Sequence, residues 1–240
     1  GMIFEDFDAK TNVMRPIDWA VHVVPANRWF GVPDERPNRI TIDRVIAGVD
    51  WGFQSASAIA VIGITSDGDY VMLDEFSDRG MAQYGLTGQS LGSQAQALQK
   101  KWGITHFYCG PDQPVSIGEW RKQHRLNALL ARDEVLAGIH VLITFIRTDD
   151  RLGHPRFRVY YGPKFLDEIS TYQWAHTPDS IQTEKPLKKN DHVIDAVRYA
   201  VFSDTVMRFV REPHFKWSLP HDVQTRILNM GEVYKHGRRK

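Results

Sequence analysis

A chain of 240 residues, 42% hydrophobic and 11% aromatic, suits one large domain or one domain with appendages, and can bury a sizeable core. No run of about 18 apolar residues occurs, which excludes a membrane-spanning helix, and no secretory apolar segment opens the chain. The single cysteine, Cys109, excludes an internal disulfide, and a net charge of +1 conceals some asymmetry along the chain.

The opening Gly-Met has the form of a cleaved tag and is left out of fold reasoning. Residues 3–43 are expected to be loop-rich, since Pro16, Pro25, Pro33 and Pro37 interrupt any long element. Within them "WAVHVV" (19–24) suggests one or two strands or a packing arm. "RVIAGVD" (44–50) reads as a buried strand ending in an acid. "SAIAVIGI" (57–64) and "YVMLDEFS" (70–77) flank the turn signal "TSDGD", so three antiparallel neighbours are expected. The glycine-bearing "GLTGQS", between Met81 and Ser90, reads as a flexible loop. "LGSQAQALQKKWG" (91–103) reads as a helix with Leu91, Ala95 and Leu98 on one face, closed by Gly103.

"THFYCGPD" (105–112) is a second buried strand ending in an acid, and Cys109 within it reads as a small core residue. A short helix is expected over 116–124, a second over 125–138, a strand over "IHVLITFI" (139–146) and another over "RFRVYYG" (156–162). "PKFLDEISTYQW" (163–174) reads as a helix with Pro163 at its start. The last helix spans 190–204, with Ile194, Val197 and Val201 on its apolar face. Beyond it, from Thr205 to Lys240, eight Lys or Arg stand against three Asp or Glu, and the end "KHGRRK" suits a polyanionic partner or a solvated terminus. The expected class is α/β, with a mixed sheet flanked by helices and three parts: an arm at 1–43, a domain at 44–205 and a basic tail at 206–240.

The start of the last helix, "KKNDHVIDAVRYA" (188–200), concentrates chemistry. Residues three or four apart share a helix face, so Asp195 lies beside both Asp191 and His192. An N-terminal cap by Asn190 and first-turn acids explains Asn190 and Asp191, but Asp195 lies beyond the free N–H groups. Two strands end in Asp50 and Asp112, and strand ends on one sheet edge beside this helix would gather the carboxylates. Clustered carboxylates suit hard divalent cations such as Mg²⁺ or Mn²⁺. Two such ions about 3.5–4 Å apart activate a water and stabilise the departing alkoxide in phosphodiester hydrolysis. Gly48 and Gly52 flank Asp50 in "GVDWG", where a missing side chain admits close approach of a substrate or ion.

The ordered set "GVDWGFQSASAIAVIG", "YCGPDQP" and "NDHVIDAVRYA" resembles the nuclease domain of the large terminase subunit of tailed bacteriophages or prophages, from about Ile3 to Asp204. "IFEDFD" resembles that family's link from its motor domain, and "FLDEISTYQW" its helix before the final acidic motif. The resemblance implies a ribonuclease H-like fold and a two-metal endonuclease that cuts double-stranded viral DNA during packaging in the bacterial host cytoplasm. Carried over by position, it implies Asp50, Asp112 and Asp195 as metal ligands, with Asp191 beside them. His192 would bind a metal, orient a water or move a proton. Lys188, Lys189 and Arg198 are candidates for phosphate contacts. The implied partners are a motor domain, the small terminase subunit and the portal protein. No G-x-x-x-x-G-K-[ST] stretch occurs, so no ATP hydrolysis is expected, and the chain reads as the nuclease half of such a protein.

Other readings stay open on sequence. A junction resolvase or transposase-type nuclease also gathers acids at one sheet edge. An actin-like ATPase needs two such domains and a longer chain. A non-catalytic packaging module would keep the acids only as caps and turns. The loop "DDRLGHP" (149–155), polar and between strands, is expected near the substrate groove.

Overall fold

The computed structural model describes residues 1–52, 55–85, 88–176 and 182–237. Helix α1 (Ala9–Asn12) precedes a small sheet of β1 (Trp19–Val23), β2 (Arg28–Phe30) and β3 (Asn38–Ile42), in the order β2-β1-β3. The central hairpins follow as β4 (Arg44–Asp50), β5 (Ala56–Ile64) and β6 (Tyr70–Arg79). Next come α2 (Leu91–Trp102), β7 (His106–Cys109), α3 (Pro114–Gln123) and β8 (Ala128–Leu130). The chain continues through α4 (Val135–Ile146), β9 (Thr148–Asp149), β10 (His154–Pro155), β11 (Phe157–Val159) and α5 (Pro163–Ile169). A two-stranded ribbon, β12 (Trp174–His176) and β13 (Gln182–Pro186), leads to α6 (His192–Arg211), α7 (Pro213–Ser218) and α8 (His221–Gly237).

The main sheet has six strands in the order β11-β6-β5-β4-β7-β8. It is mixed. β4, β5 and β6 are antiparallel neighbours, whereas β7 runs parallel to β4, β8 to β7 and β11 to β6. Side chains alternate across it as a period of two requires. Val45, Ala47 and Val49 join the core under α2 and α3, while Ile46, Ala58 and Ala60 join the core under α4, α5 and α6. Each fully buried Val or Ile contributes about 1.5–3 kcal/mol by leaving water, against at most about 1 kcal/mol for an exposed ion pair. Both sheet faces, not surface charge, therefore hold the fold.

Helix α6 lies unusually close to the sheet. A Cβ on Gly48 would stand 1.7 Å from the Ala196 carbonyl oxygen, so only glycine lets β4 touch the helix backbone. At the far end of the strands Asp204, fully buried, accepts from Arg44 at 2.6 Å and from the Tyr70 hydroxyl at 3.0 Å. The helix is thus fixed along its length and is buried on nearly every side.

Several sequence expectations need correction. Residues 139–146 belong to α4, not to a strand, and the helix expected over 125–138 is replaced by β8, a loop and, from Val135, the first turn of α4. The continuous apolar run fits either element, and burial of Gly138, Ile139, Val141, Leu142, Phe145 and Ile146 at helical spacing decides for α4. Helix α6 runs to Arg211, well past 204, because Phe209 continues its buried face. It crosses the boundary expected at 205, and Phe215, Leu219, Val223 and Ile227 beyond it join the main core. Residues 1–43 also do more than link, since Ile3 and Phe4 are buried in that core and β1 packs in the other. Residues 86–87 of "GLTGQS" and 238–240 of the basic end lie outside the described residues. Among the described residues no helix is long and apolar enough to cross a membrane.

Candidate metal centre

Asp50 ends the central strand β4, in register with Ala58 of β5, and the first turn of α6 faces it. Its Oδ2 lies 2.9 Å from His192 Nδ1. Burial pushes the Asp50 carboxyl up, the negative charge of Asp195 adds to that, and the His192 contact opposes it. The hydrogen bond to Asp50 raises the His192 imidazole in turn. Both shifts favour keeping a proton in the Nδ1–Oδ2 contact.

Asp195 stands one turn further along and is 5% exposed. Its Oδ1 accepts from Arg198 Nε and Nη2 at 3.1 Å, and its Oδ2 from Lys188 Nζ at 2.6 Å. Lys188 Nζ also lies 3.2 Å from Asp191 Oδ2. Burial works against the Lys188 ammonium, but Asp195 and Asp191 outweigh it and raise its pKa. The Lys188 ammonium therefore marks the point between two acids where positive charge is favoured.

Asp112 comes to the same sheet edge by a different route. Strand β7 runs beside β4, and the Gly110 N–H donates to Val49 O at 2.9 Å. Trp51 Nε1 donates to Gly110 O at 2.8 Å, clamping the two strand ends together. Asp112 follows two residues later in a turn and is exposed. Among the described residues, no three His, Cys, Asp or Glu side chains stand close enough to hold a metal ion as placed. The contacts above join Asp50, His192, Asp195, Asp191 and Lys188, while Asp112 lies in the turn that follows the neighbouring strand β7.

Several expectations about this site change. Arg198 is 1% exposed, paired with Asp195 and stacked on Tyr199, so it cannot reach a phosphate. Lys189 is exposed, while Lys188 is held by the acids. Gly48 and Gly52 admit protein, not substrate: the first is covered by α6, and a Cβ on the second would meet the Ala56 carbonyl at 2.3 Å. Asn190 does not cap α6, since it adopts φ +51° and the cap position falls to Asp191, whose side chain makes no capping bond. The loop 149–155 is distant from Asp50. His154 pairs with Asp69 at the start of β6, and Arg151 donates to Ser218 O at 3.0 Å, whereas Asp50 lies level with Ser77 near the other end of β6.

One residue of the site was missed. Glu168 on α5 accepts at Oε2 from the backbone N–H of Val193 at 2.8 Å and of Ile194 at 3.0 Å, capping α6 from outside. Burial raises its carboxyl to about 7 against the opposing pull of these bonds. The sequence does carry a signal: an acid shares the helix face of Phe165 and Ile169, both buried. An acid on an apolar stripe needs a partner.

No protein-family model matches the sequence, and no curated protein matches it either. Solved structures do. The large terminase of the thermophilic bacteriophage D6E superposes with a TM-score of 0.61 at 20% identity, over 86% of this chain and 46% of that one. The P22 large terminase nuclease domain gives 0.56 at 19% identity, over 83% of this chain and 90% of that one. This is the large-terminase nuclease fold. The nuclease domain of the SPP1 large terminase, solved with bound Mn, gives 0.52 at 17% identity, over 68% and 88%. The chain spans less than half the length of the D6E terminase it matches. The mixed sheet flanked by helices is the ribonuclease H-like arrangement of these nuclease domains.

Proposed function

We propose that this chain is a metal-dependent endonuclease that cleaves double-stranded viral DNA during genome packaging, by two-metal phosphodiester hydrolysis. The observation that carries the reading is the meeting of half-buried Asp50, at the end of the central strand, with the acidic first turns of α6. The likeness to phage terminase nucleases supports it, among them a structure with bound Mn.

The donor set fits hard divalent ions in part. Asp50 and Asp195 are neighbouring carboxylates whose charges raise each other's cost, and a cation relieves both. Asp191 Oδ2 is buried without an aligned hydrogen-bond donor, and Lys188 already brings positive charge beside it. Asp50 and Asp195 would hold the ions, with Asp191 and Asp112 as further oxygen donors. Mg²⁺ or Mn²⁺ bound there would activate a water and stabilise the leaving alkoxide. His192 holds Asp50 in place and keeps a proton at Nδ1. Lys189, exposed, and Lys188, once released from the acids, would meet phosphates. A motor domain, a small terminase subunit and a portal protein are the partners this reading calls for, in the bacterial host cytoplasm.

Cleavage of supercoiled and linear plasmid with Mn²⁺, with Mg²⁺ and with EDTA tests it, wild type beside Asp50→Ala and Asp195→Ala. Metal-dependent, sequence-tolerant cutting should appear in wild type and vanish in both variants, with DNA affinity falling steeply as salt rises. Cutting confined to branched DNA would favour a resolvase-type enzyme. No cutting and no metal-induced rise in melting temperature would leave a non-catalytic packaging module.

A further inference from the structure

Helices α5 and α6 share a feature: neither is capped by the side chain of its own N-cap residue. Each is capped by a glutamate from the element that precedes it in space. Glu75 on β6 accepts from the backbone N–H of Lys164 at 2.5 Å and of Phe165 at 3.0 Å, at the start of α5. Glu168 on α5 then accepts from Val193 and Ile194 at the start of α6. An acceptor oxygen bridging two free N–H groups satisfies donors that the helix start would otherwise leave unpaired. The two caps form a series running from sheet to α5 to α6.

That series begins close to Asp50. Glu75 is in register with Ala60, and Ala60 with Gly48, two residues before Asp50 on β4. The β6–β5–β4 ladder fixes Asp50. The same strand, through Glu75 and Glu168, fixes the turn that carries His192 and Asp195. Both halves of the site are therefore referenced to one piece of backbone.

We propose that Glu168 is a positioning residue for the nuclease, holding the first turn of α6 so that His192 and Asp195 meet Asp50, with Glu75 as its relay to the sheet. The proposal rests on the nuclease reading above for its catalytic consequence. Glu168 touches neither DNA nor ion; it acts through the helix backbone. A pure stabiliser would lower the melting temperature and leave turnover below that temperature unchanged.

The test uses the full chain with Glu168→Ala, Glu168→Gln and Glu168→Asp. Amide exchange at Val193 and Ile194, the ¹⁵N shift of the His192 ring, DNA affinity in EDTA and Mn²⁺-dependent cleavage at saturating plasmid are measured. Glu168→Ala should lose cleavage by about tenfold or more, since small misplacements of reacting groups are costly. DNA affinity should not change, exchange at both amides should accelerate, and the His192 shift should move. Glu168→Gln keeps an acceptor oxygen and should restore wild-type behaviour in all four. If Glu168→Ala does not fold, Glu168→Asp, one methylene short of both N–H groups, takes its place with the same expectations. Full cleavage in Glu168→Ala, or loss in Glu168→Gln with protected amides, would overturn the proposal. Absence of cleavage in wild type would sink the nuclease reading alone, and the His192 shift then decides the positioning claim: moved by Ala and restored by Gln supports it, unmoved refutes it.

Discussion

Asp195 neutralises two cations of very different standing. Lys188 is 61% exposed at its side chain and can turn to water, whereas Arg198 is 1% exposed and has nowhere to go. Removing one member of a buried pair costs about 3–5 kcal/mol, because the other charge is left unpaired, while an exposed pair is worth at most about 1 kcal/mol. Asp195→Ala should therefore destabilise the fold by about 3–5 kcal/mol in chemical denaturation, mainly through Arg198. Asp195→Asn, whose amide oxygen still accepts from Arg198 although its charge is gone, should lose less. Asp50→Ala should also cost less, since His192 can shed its proton and is part-exposed. Equal losses for the two alanine variants would show that Arg198 does not depend on Asp195. Cleavage lost in Asp195→Asn, measured well below its melting temperature, would then separate chemistry from folding.

At the scale of elements, the contact of α6 with β4 sets the site. Gly48 lies directly under Ala196, one residue from Asp195, and the added methyl of Gly48→Ala would meet the Ala196 carbonyl. The helix must shift or the strand must bend, and overpacking of this kind costs about 1–3 kcal/mol or more. Gly48→Ala is expected to abolish cleavage even at temperatures where it stays folded; a variant with wild-type turnover would show that the helix tolerates displacement. The cap of the same helix gives a pH signature. Burial raises Glu168 to about 7 from an ordinary 4.5, so the folded chain holds this proton more tightly than the unfolded chain. Its contribution to stability is full below 4.5 and is lost as pH rises toward about 7. Melting temperature against pH should show this decline in wild type, and Glu168→Gln should flatten that part of the curve.

The whole molecule is closed by its C-terminal segment. Phe215 lies 3.7 Å under the Arg208 guanidinium and, with Leu219, Val223 and Ile227, extends the core that supports α6. Burying such side chains is worth about 1.5–3 kcal/mol each, so together they rival the net stability of a domain, about 5–15 kcal/mol. A chain ended after Glu212 should melt far below the full chain or aggregate. An unchanged melting temperature would show instead that residues beyond 212 are a detachable tail.

A good deal of this was legible in local sequence. The strands expected at 44–50 and 70–77 and the helix at 91–103 could be read directly, because short apolar runs, the "TSDGD" turn and the Gly103 stop are signals carried by the residues themselves. Asp50, His192 and Asp195 stood out as chemistry-bearing types, and the structure brings them together. Three matters lay beyond the reach of a single sequence. The apolar run in α4 suits a helix or a strand, and only packing beside α6 chooses. The cap of α6 comes from Glu168 on a separate helix, whereas local rules look only to Asn190 and Asp191, the residues just before His192 opens the helix. Arg198 reads as a surface cation by type, yet burial against Asp195 and Tyr199 makes it a structural counter-charge. Each depends on contacts between residues on different elements: a local stretch can show that a group such as Glu168 needs a partner, but only the fold decides which partner it meets.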